Sequence, residues 1–323
     1  MFFQQLPTAS VNIKDDSYRI TFKPKLEELK RSIKNIGIIQ PLLLRHTQEG
    51  TYQIIAGFKR FLVAQELGFT SLPCIIYEAQ DLSPAQAFLM NLHDNGTTRS
   101  LNLVEKGNAI TRLKLFCTLP EDEVVDHILP LLKEVPSYKT LYQLSSLTEL
   151  TEPMKEHILE TGVTLACAAR IGEFTPSTQQ ALLNVLKPIR PSSAKLNELL
   201  TLIREISARD GLSVEDVLSR YKLLEVVISN TASPADKVKS LRQALRGIRL
   251  PQLTQKQERI TELITALDLP KDAKVVTDPY FENGKIKLEY QFSQPEELNQ
   301  LVRKLQVAFQ RQQWNRIFEW YQA

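Results

Sequence analysis

Residues 54–68, IIAGFKRFLVAQELG, join a short apolar run to a helical pattern through one glycine and two adjacent cations. Ile54, Ile55 and Ala56 read as the end of a strand, and Phe58, Phe61, Leu62, Ala64 and Leu67 recur at the spacing of one helix face. The start of a helix offers free backbone N–H groups and the positive end of its dipole, and glycine lets a ligand come close to the backbone. Lys59 and Arg60 in a first turn oppose that dipole, so a bound anion, phosphate above all, would account for them. The other reading makes them the solvated side of the same helix.

Outward from this junction, residues 10–95 alternate apolar runs with helical patterns. The order is VNI from Val11, LEELKRSIKNI from Leu26, PLLLR from Pro41, YQIIA from Tyr52, the helix up to Gly68, PCIIY from Pro73 and a helix from Ser83. That alternation predicts an α/β unit. Gly37 and Gly68 stand where helices stop, and Ser83 followed by Pro84 is a helix start. From Leu101 to Leu250 the period is that of helices, punctuated by Pro120, Pro136, Pro153, Pro176, Pro188, Pro191 and Pro234. Within it, Glu121 to Val135 and Pro136 to Leu150 give two helical patterns meeting at a tight turn. They suit a helix-turn-helix, or simply two packed helices of an all-α domain.

The tail carries a hairpin signal. A strand over Val275 to Phe281, a turn at Asn283-Gly284 and a second strand follow, in which Ile286, Leu288, Tyr290 and Phe292 alternate with Lys287, Glu289 and Gln291. Helical patterns from Ile260 and Pro295 flank it, and the apolar face must pack on them or on a second copy. The expectation is an α+β multidomain chain: an α/β domain over 1–100, an all-α domain over 101–250 and a helix-hairpin-helix domain over 251–323.

Composition narrows the function. The 323 residues are 43% hydrophobic and 24% charged, ordinary globular values, with a net charge of only +3. Any nucleic-acid surface must therefore come from local clustering. One cluster is Lys237 to Arg249, where Lys239, Arg242 and Arg246 share a helix face: a sequence-independent, salt-sensitive DNA contact, or a solvated face. No basic leader and no run of roughly 18 apolar residues is present, so a cytoplasmic protein with no membrane partner is expected. Cys74, Cys117 and Cys167 lack metal or disulfide spacing, and His46, His93, His127 and His157 are scattered, so no catalytic set stands out.

Several segments together resemble ParB-type chromosome and plasmid partition proteins. GIIQPLLLR (Gly37 to Arg45), YQIIAGFKRFLVAQELG (Tyr52 to Gly68) and LPCIIYEA (Leu72 to Ala79) are similar to the family's N-terminal ParB/sulfiredoxin-like domain. Arg19 and Phe22 fall at its first motif, DNGTTRSLNLVEKG (Asp94 to Gly107) is similar to its third, and KIKLEYQFSQPEELNQLVRKL (Lys285 to Leu305) to its dimerisation domain. The resemblance implies that CTP binds with Mg²⁺ and closes a dimeric clamp on double-stranded DNA. It implies a homodimer, a nucleoid-associated location and a partition ATPase as partner. Carried over residue by residue, Gly57, Lys59 and Arg60 would contact the triphosphate, and Arg19 would lie in the first motif. Asp94 and Asn95 would lie by the metal and phosphates. Ser137, Lys139, Thr140 and Gln143 of the helix-turn-helix would face a DNA groove.

The sequence also departs from that pattern. Phe58 and Asp94 stand where the family has glutamate, Ser17 where it has glutamine, and Thr98 where it has arginine, with Arg99 one residue late. A weak CTPase activity is thereby left open. The alternatives are an enzyme on the same scaffold, though sulfiredoxin chemistry has no cysteine beside Gly57, and a regulatory, partner-binding protein that has lost CTP.

Overall fold

The computed structural model describes residues 1–228, 232–278, 281 and 285–322. Its contacts divide the chain into two compact units, Met1–Leu196 and Asn197–Ala323. The sequence pattern leads to the expectation of domains over 1–100, 101–250 and 251–323. Residues after 100 stay with the first unit because they are tied to its beginning: Asn108 donates to the Ile20 carbonyl, and Glu105 accepts the Phe22 N–H.

The first unit opens with a sheet of four strands, β1 (Phe2–Pro7), β2 (Leu42–His46), β3 (Tyr52–Ala56) and β4 (Ser71–Glu78), in the order β1-β4-β2-β3. β4 runs parallel to β2 and antiparallel to β1, and β2 runs antiparallel to β3. Four helices accompany it: α1 (Glu27–Ile36), α2 (Phe58–Glu66), α3 (Pro84–Thr98) and α4 (Leu103–Phe116). Leu42 and Leu44 of β2, Leu72, Cys74 and Ile76 of β4, and Phe61 and Ala64 of α2 share one buried cluster. Alternate residues of the strands point into it, the period-two pattern of a half-buried sheet. Burial pushes the Cys74 thiol up to about 11, which leaves it an unreactive core residue.

Helix starts are chemically marked. The Ser83 hydroxyl accepts from the Gln86 N–H while Gln86 answers to the Ser83 N–H, and Asn102 and Glu105 do the same for α4. Each reciprocal pair satisfies two backbone donors that a helix end leaves open. One expected strand is elsewhere. Val11 makes only an isolated bridge to Tyr52, and the sheet takes Phe2–Pro7 instead. Of that strand only Leu6 is buried, so it lacks the alternation by which a strand is recognised.

Beyond α4 the first unit is helical. A helical stretch over 121–131, with a π-turn at Val124–Ile128, precedes the helix Tyr138–Ser146, and Lys133 takes a left-handed conformation (φ 58°) in the connection between them. Gly107 of α4 allows close packing there: a Cβ on it would lie 2.9 Å from Leu147 Cβ.

The second unit carries the helices Pro234–Arg249 and Pro251–Thr265, a two-stranded antiparallel sheet and the helices Pro295–Gln310 and Gln313–Gln322. The strands are Ala273–Val276 and Lys287–Tyr290, and pairing ends at Val276 with Lys287. The expected first strand, beginning at Val275 and running to Phe281, is therefore displaced toward the N-terminus. The expected Asn283-Gly284 turn lies outside the described residues. The last helix, which the sequence reading did not separate, supplies Trp314 and Ile317 to a core with Leu267 and Ala308, against which Ile286 and Leu305 pack. Leu288, Phe292, Val302, Phe309 and Trp320 stay exposed. Among the described residues no helix is long and apolar enough to cross a membrane.

Candidate functional site

The strand-to-helix junction opens onto a cleft of about 260 Å³. All six residues expected at a nucleotide site line it: Arg19, Gly57, Lys59, Arg60, Asp94 and Asn95. A larger groove, about 1000 Å³, lies between the helices Pro234–Arg249 and Pro251–Thr265, but there Lys239, Arg242 and Arg246 share the lining with Glu258 and Glu262. The smaller cleft has the more one-sided charge, Arg19, Lys59, Arg60 and Arg99 against Asp15 and Asp94.

Gly57 holds a left-handed conformation, φ 101°, as the residue before α2. A Cβ there would lie 3.1 Å from Leu42 Cγ and 3.2 Å from Arg60 Nη2, so the turn requires glycine on both counts. Lys59 projects from the first turn, half-buried. Burial first, and then the Arg99 guanidinium, lower its pKa, while Glu105 opposes them. Its ammonium has no hydrogen bond or ion pair among the described residues, and a desolvated cation without a partner is a natural receiver for an anion.

Arg60 is held more firmly. Its Nη1 donates to the Gln40 and Pro41 carbonyls at 2.6 and 2.9 Å, and burial lowers its pKa against the pull of Asp94. Arg19 lies over the Phe58 ring, 5.1 Å from its centroid, in cation–π contact. Phe58, at the position where the resembled family has a carboxylate, thus gives the cleft a ring and no proton acceptor.

On α3, Asp94 and Asn95 behave differently from one another. Asn95 is used at both ends of its amide: Oδ1 accepts from Arg99 Nε at 2.8 Å and Nδ2 donates to the Asn91 carbonyl at 2.9 Å. That leaves Asn95 poorly suited to the metal contact expected of it. Asp94, whose field reaches Arg60, is the carboxylate available for a hard cation. Among the described residues no three His, Cys, Asp or Glu side chains group together.

Two buried residues to which the sequence assigned no role bear on the site: Asn91 lines the cleft, and Glu105 holds Arg99, which does. Asn91 is 6% exposed; its Nδ2 donates to the Ile55 carbonyl and its Oδ1 has no partner. Glu105, 2% exposed, accepts from Arg99 Nη1 at 2.6 Å and from the Asn102 and Phe22 N–H groups at 3.1 and 3.3 Å. The Asn102-to-Glu105 spacing was a readable signal for the second; none marked the first.

The candidate DNA residues are divided. Ser137 caps its helix, accepting from the Thr140 N–H at 3.1 Å, and Thr140 is buried, so both are engaged at the helix start. Lys139 is exposed and Gln143 half-exposed. Beside them the Tyr138 hydroxyl bonds Asp122 and the Tyr142 hydroxyl bonds Glu121, which makes this face acidic. On the basic helix, Lys239 is exposed, but Arg242 Nε and Arg246 Nη2 both donate to Glu198 Oε1, at 2.7 and 2.8 Å. Two of the three cations are therefore already paired.

The fold and cleft together define an α/β domain with a cation-lined cleft at the start of its second helix. Residues 3–95 match the ParB N-terminal domain. A Vibrio cholerae protein named "Probable chromosome-partitioning protein ParB" is 35% identical over 136 residues, covering 42% of this chain and 43% of that one. The nucleoid occlusion protein of Bacillus subtilis is 30% identical over 141 residues, covering 43% and 47%. The matched stretch thus spans less than half the length of either relative. Among solved structures, truncated Caulobacter crescentus ParB complexed with CTP-gamma-S matches 57% of this chain and 97% of its own, at 22% identity and a TM-score of 0.28.

Proposed function

We propose that the N-terminal cleft binds a cytidine triphosphate together with a divalent cation, and that the chain is a ParB-like DNA-binding protein acting in chromosome or plasmid partition. The carrying observation is the unpaired, half-buried Lys59 ammonium beside the left-handed Gly57, at a helix start whose first residues line the cleft. The choice of cytidine follows the resemblance to ParB. Replacing Lys59 by alanine is expected to weaken nucleotide binding by about tenfold or more, the scale of one charge-assisted contact. Equal affinities in titrations of the two proteins would remove Lys59 from the site. One observation favours the rival reading of a regulatory protein without nucleotide: the Arg19 guanidinium is already engaged on Phe58.

The proposed partners are duplex DNA and a second copy of the chain. Exposed Leu288, Phe292, Val302, Phe309 and Trp320 offer the apolar surface a homodimer would bury. DNA contact is electrostatic in this reading, led by Lys239 and Lys139, with Arg242 and Arg246 exchanging Glu198 for phosphates. Sedimentation of the intact chain, alone and with a random-sequence duplex at two salt concentrations, reads both points. A dimer whose DNA complex dissociates as salt rises is expected. A monomer, or DNA binding insensitive to salt, would count against the respective proposal.

A further inference from the structure

We infer that Asn91, rather than Asn95, supplies the second protein oxygen beside Asp94 for the divalent cation that accompanies the nucleotide, an inference that rests on the nucleotide reading above. Asn91, Asp94 and Asn95 stand at i, i+3 and i+4 on α3, and all three line the cleft. The Asn95 oxygen is taken by Arg99. The Asn91 oxygen is not taken by anything. Its orientation is set, because reversing the amide would turn Oδ1 against the Ile55 carbonyl that Nδ2 now meets. An enclosed acceptor without a partner is costly, so the arrival of a cation or a donor in the cleft relieves it.

The neighbouring groups select the cation. A phosphate oxygen would be repelled by this acceptor, whereas one turn along the helix Asp94 offers a second hard oxygen, and carbonyl and carboxylate oxygens are the ligands Mg²⁺ and Mn²⁺ prefer. Charge points the same way. Around the cleft Arg19, Lys59, Arg60 and Arg99 face Asp15 and Asp94, a surplus that falls short of an ionised triphosphate. A divalent cation held by these oxygens would offset the remainder.

The test is CTP titration of the intact chain in EDTA and in Mg²⁺, with Asn91→Ala, Asn91→Asp and Asn95→Ala alongside. Wild type is expected to gain affinity from Mg²⁺. Asn91→Ala keeps the metal-free affinity but loses most of that gain, about tenfold for one ligand contact. Asn91→Asp retains an oxygen and adds charge but sets its second oxygen against the Ile55 carbonyl, a repulsion a bound cation relieves, so it keeps or enlarges the gain. Asn91→Ser, which withdraws the oxygen to a shorter arm and is expected to lose the gain, serves as the deciding variant if the alanine protein does not fold. Asn95→Ala, through Arg99, lowers binding with and without metal alike. The inference is overturned if Asn91→Ala retains the full Mg²⁺ gain, if Asn91→Asp abolishes it, or if Asn91→Ala only alters the preference between CTP and UTP. Absence of triphosphate binding by wild type under both conditions would instead defeat the nucleotide reading on which the inference stands.

Discussion

Replacement of Glu105 by alanine is expected to destabilise the first unit by about 3–5 kcal/mol, the usual consequence of removing one partner from a buried ion pair. The carboxylate is almost fully enclosed and does three things: it receives Arg99 Nη1, closes the cap of α4 through the Asn102 N–H, and receives the Phe22 N–H from a segment far away in the chain. Without it the guanidinium stays largely enclosed and unpaired, and two backbone donors lose their acceptor. Arg99 also lines the cleft, so its release should weaken nucleotide binding beyond what the stability loss explains. Urea unfolding of wild type, Glu105→Ala and Glu105→Gln measures the first effect, with the glutamine protein intermediate because it keeps the shape and loses the charge. A shift below about 1 kcal/mol for the alanine protein would mean that this carboxylate is dispensable to the fold.

Gly57→Val is expected to act on binding more than on stability. An L-residue with a left-handed backbone is strained by roughly 1–2 kcal/mol. The added Cβ has nowhere to go, because Leu42 is a core residue and Arg60 is pinned to the Gln40 and Pro41 carbonyls. Arg60 must shift and the branched side chain then covers the N–H groups at the start of α2. Loss of two phosphate contacts at about 1.5 kcal/mol each corresponds to roughly a hundredfold weaker nucleotide binding. Calorimetric titration measures it, and wild-type affinity in the valine protein would show that the ligand does not approach this junction.

How much of this was legible in the sequence follows from how local each signal is. β2, β3, β4 and helices α1 to α3 were readable because apolar period, caps and terminal glycines agree within a few residues, as at Ser83, Pro84 and Gln86. β1 was not, since with only Leu6 buried its sequence carries no alternation. Convergence of Arg19 and Asp94 with the residues after Gly57 came from the family resemblance, not from spacing. Asn91 was invisible because what singles it out is an oxygen left without a partner, a property only three dimensions reveal. The same holds for Arg242 and Arg246: a one-helix pattern displays them as a free basic face, and Glu198, on another helix, pairs both. Ser137 and Thr140, polar residues at the start of a possible recognition helix, likewise have partners in that helix itself which a one-dimensional pattern does not display.

The central claim, that the cleft at the start of α2 is a cytidine triphosphate site, is tested most directly by equilibrium titration of the intact chain with CTP, ATP, GTP and UTP in the presence of Mg²⁺. Saturable binding of CTP, at least about tenfold tighter than that of the other three, is the predicted result, since a single buried hydrogen bond to the base suffices for that margin. No saturable binding of any of the four, or equal binding of all, would contradict it.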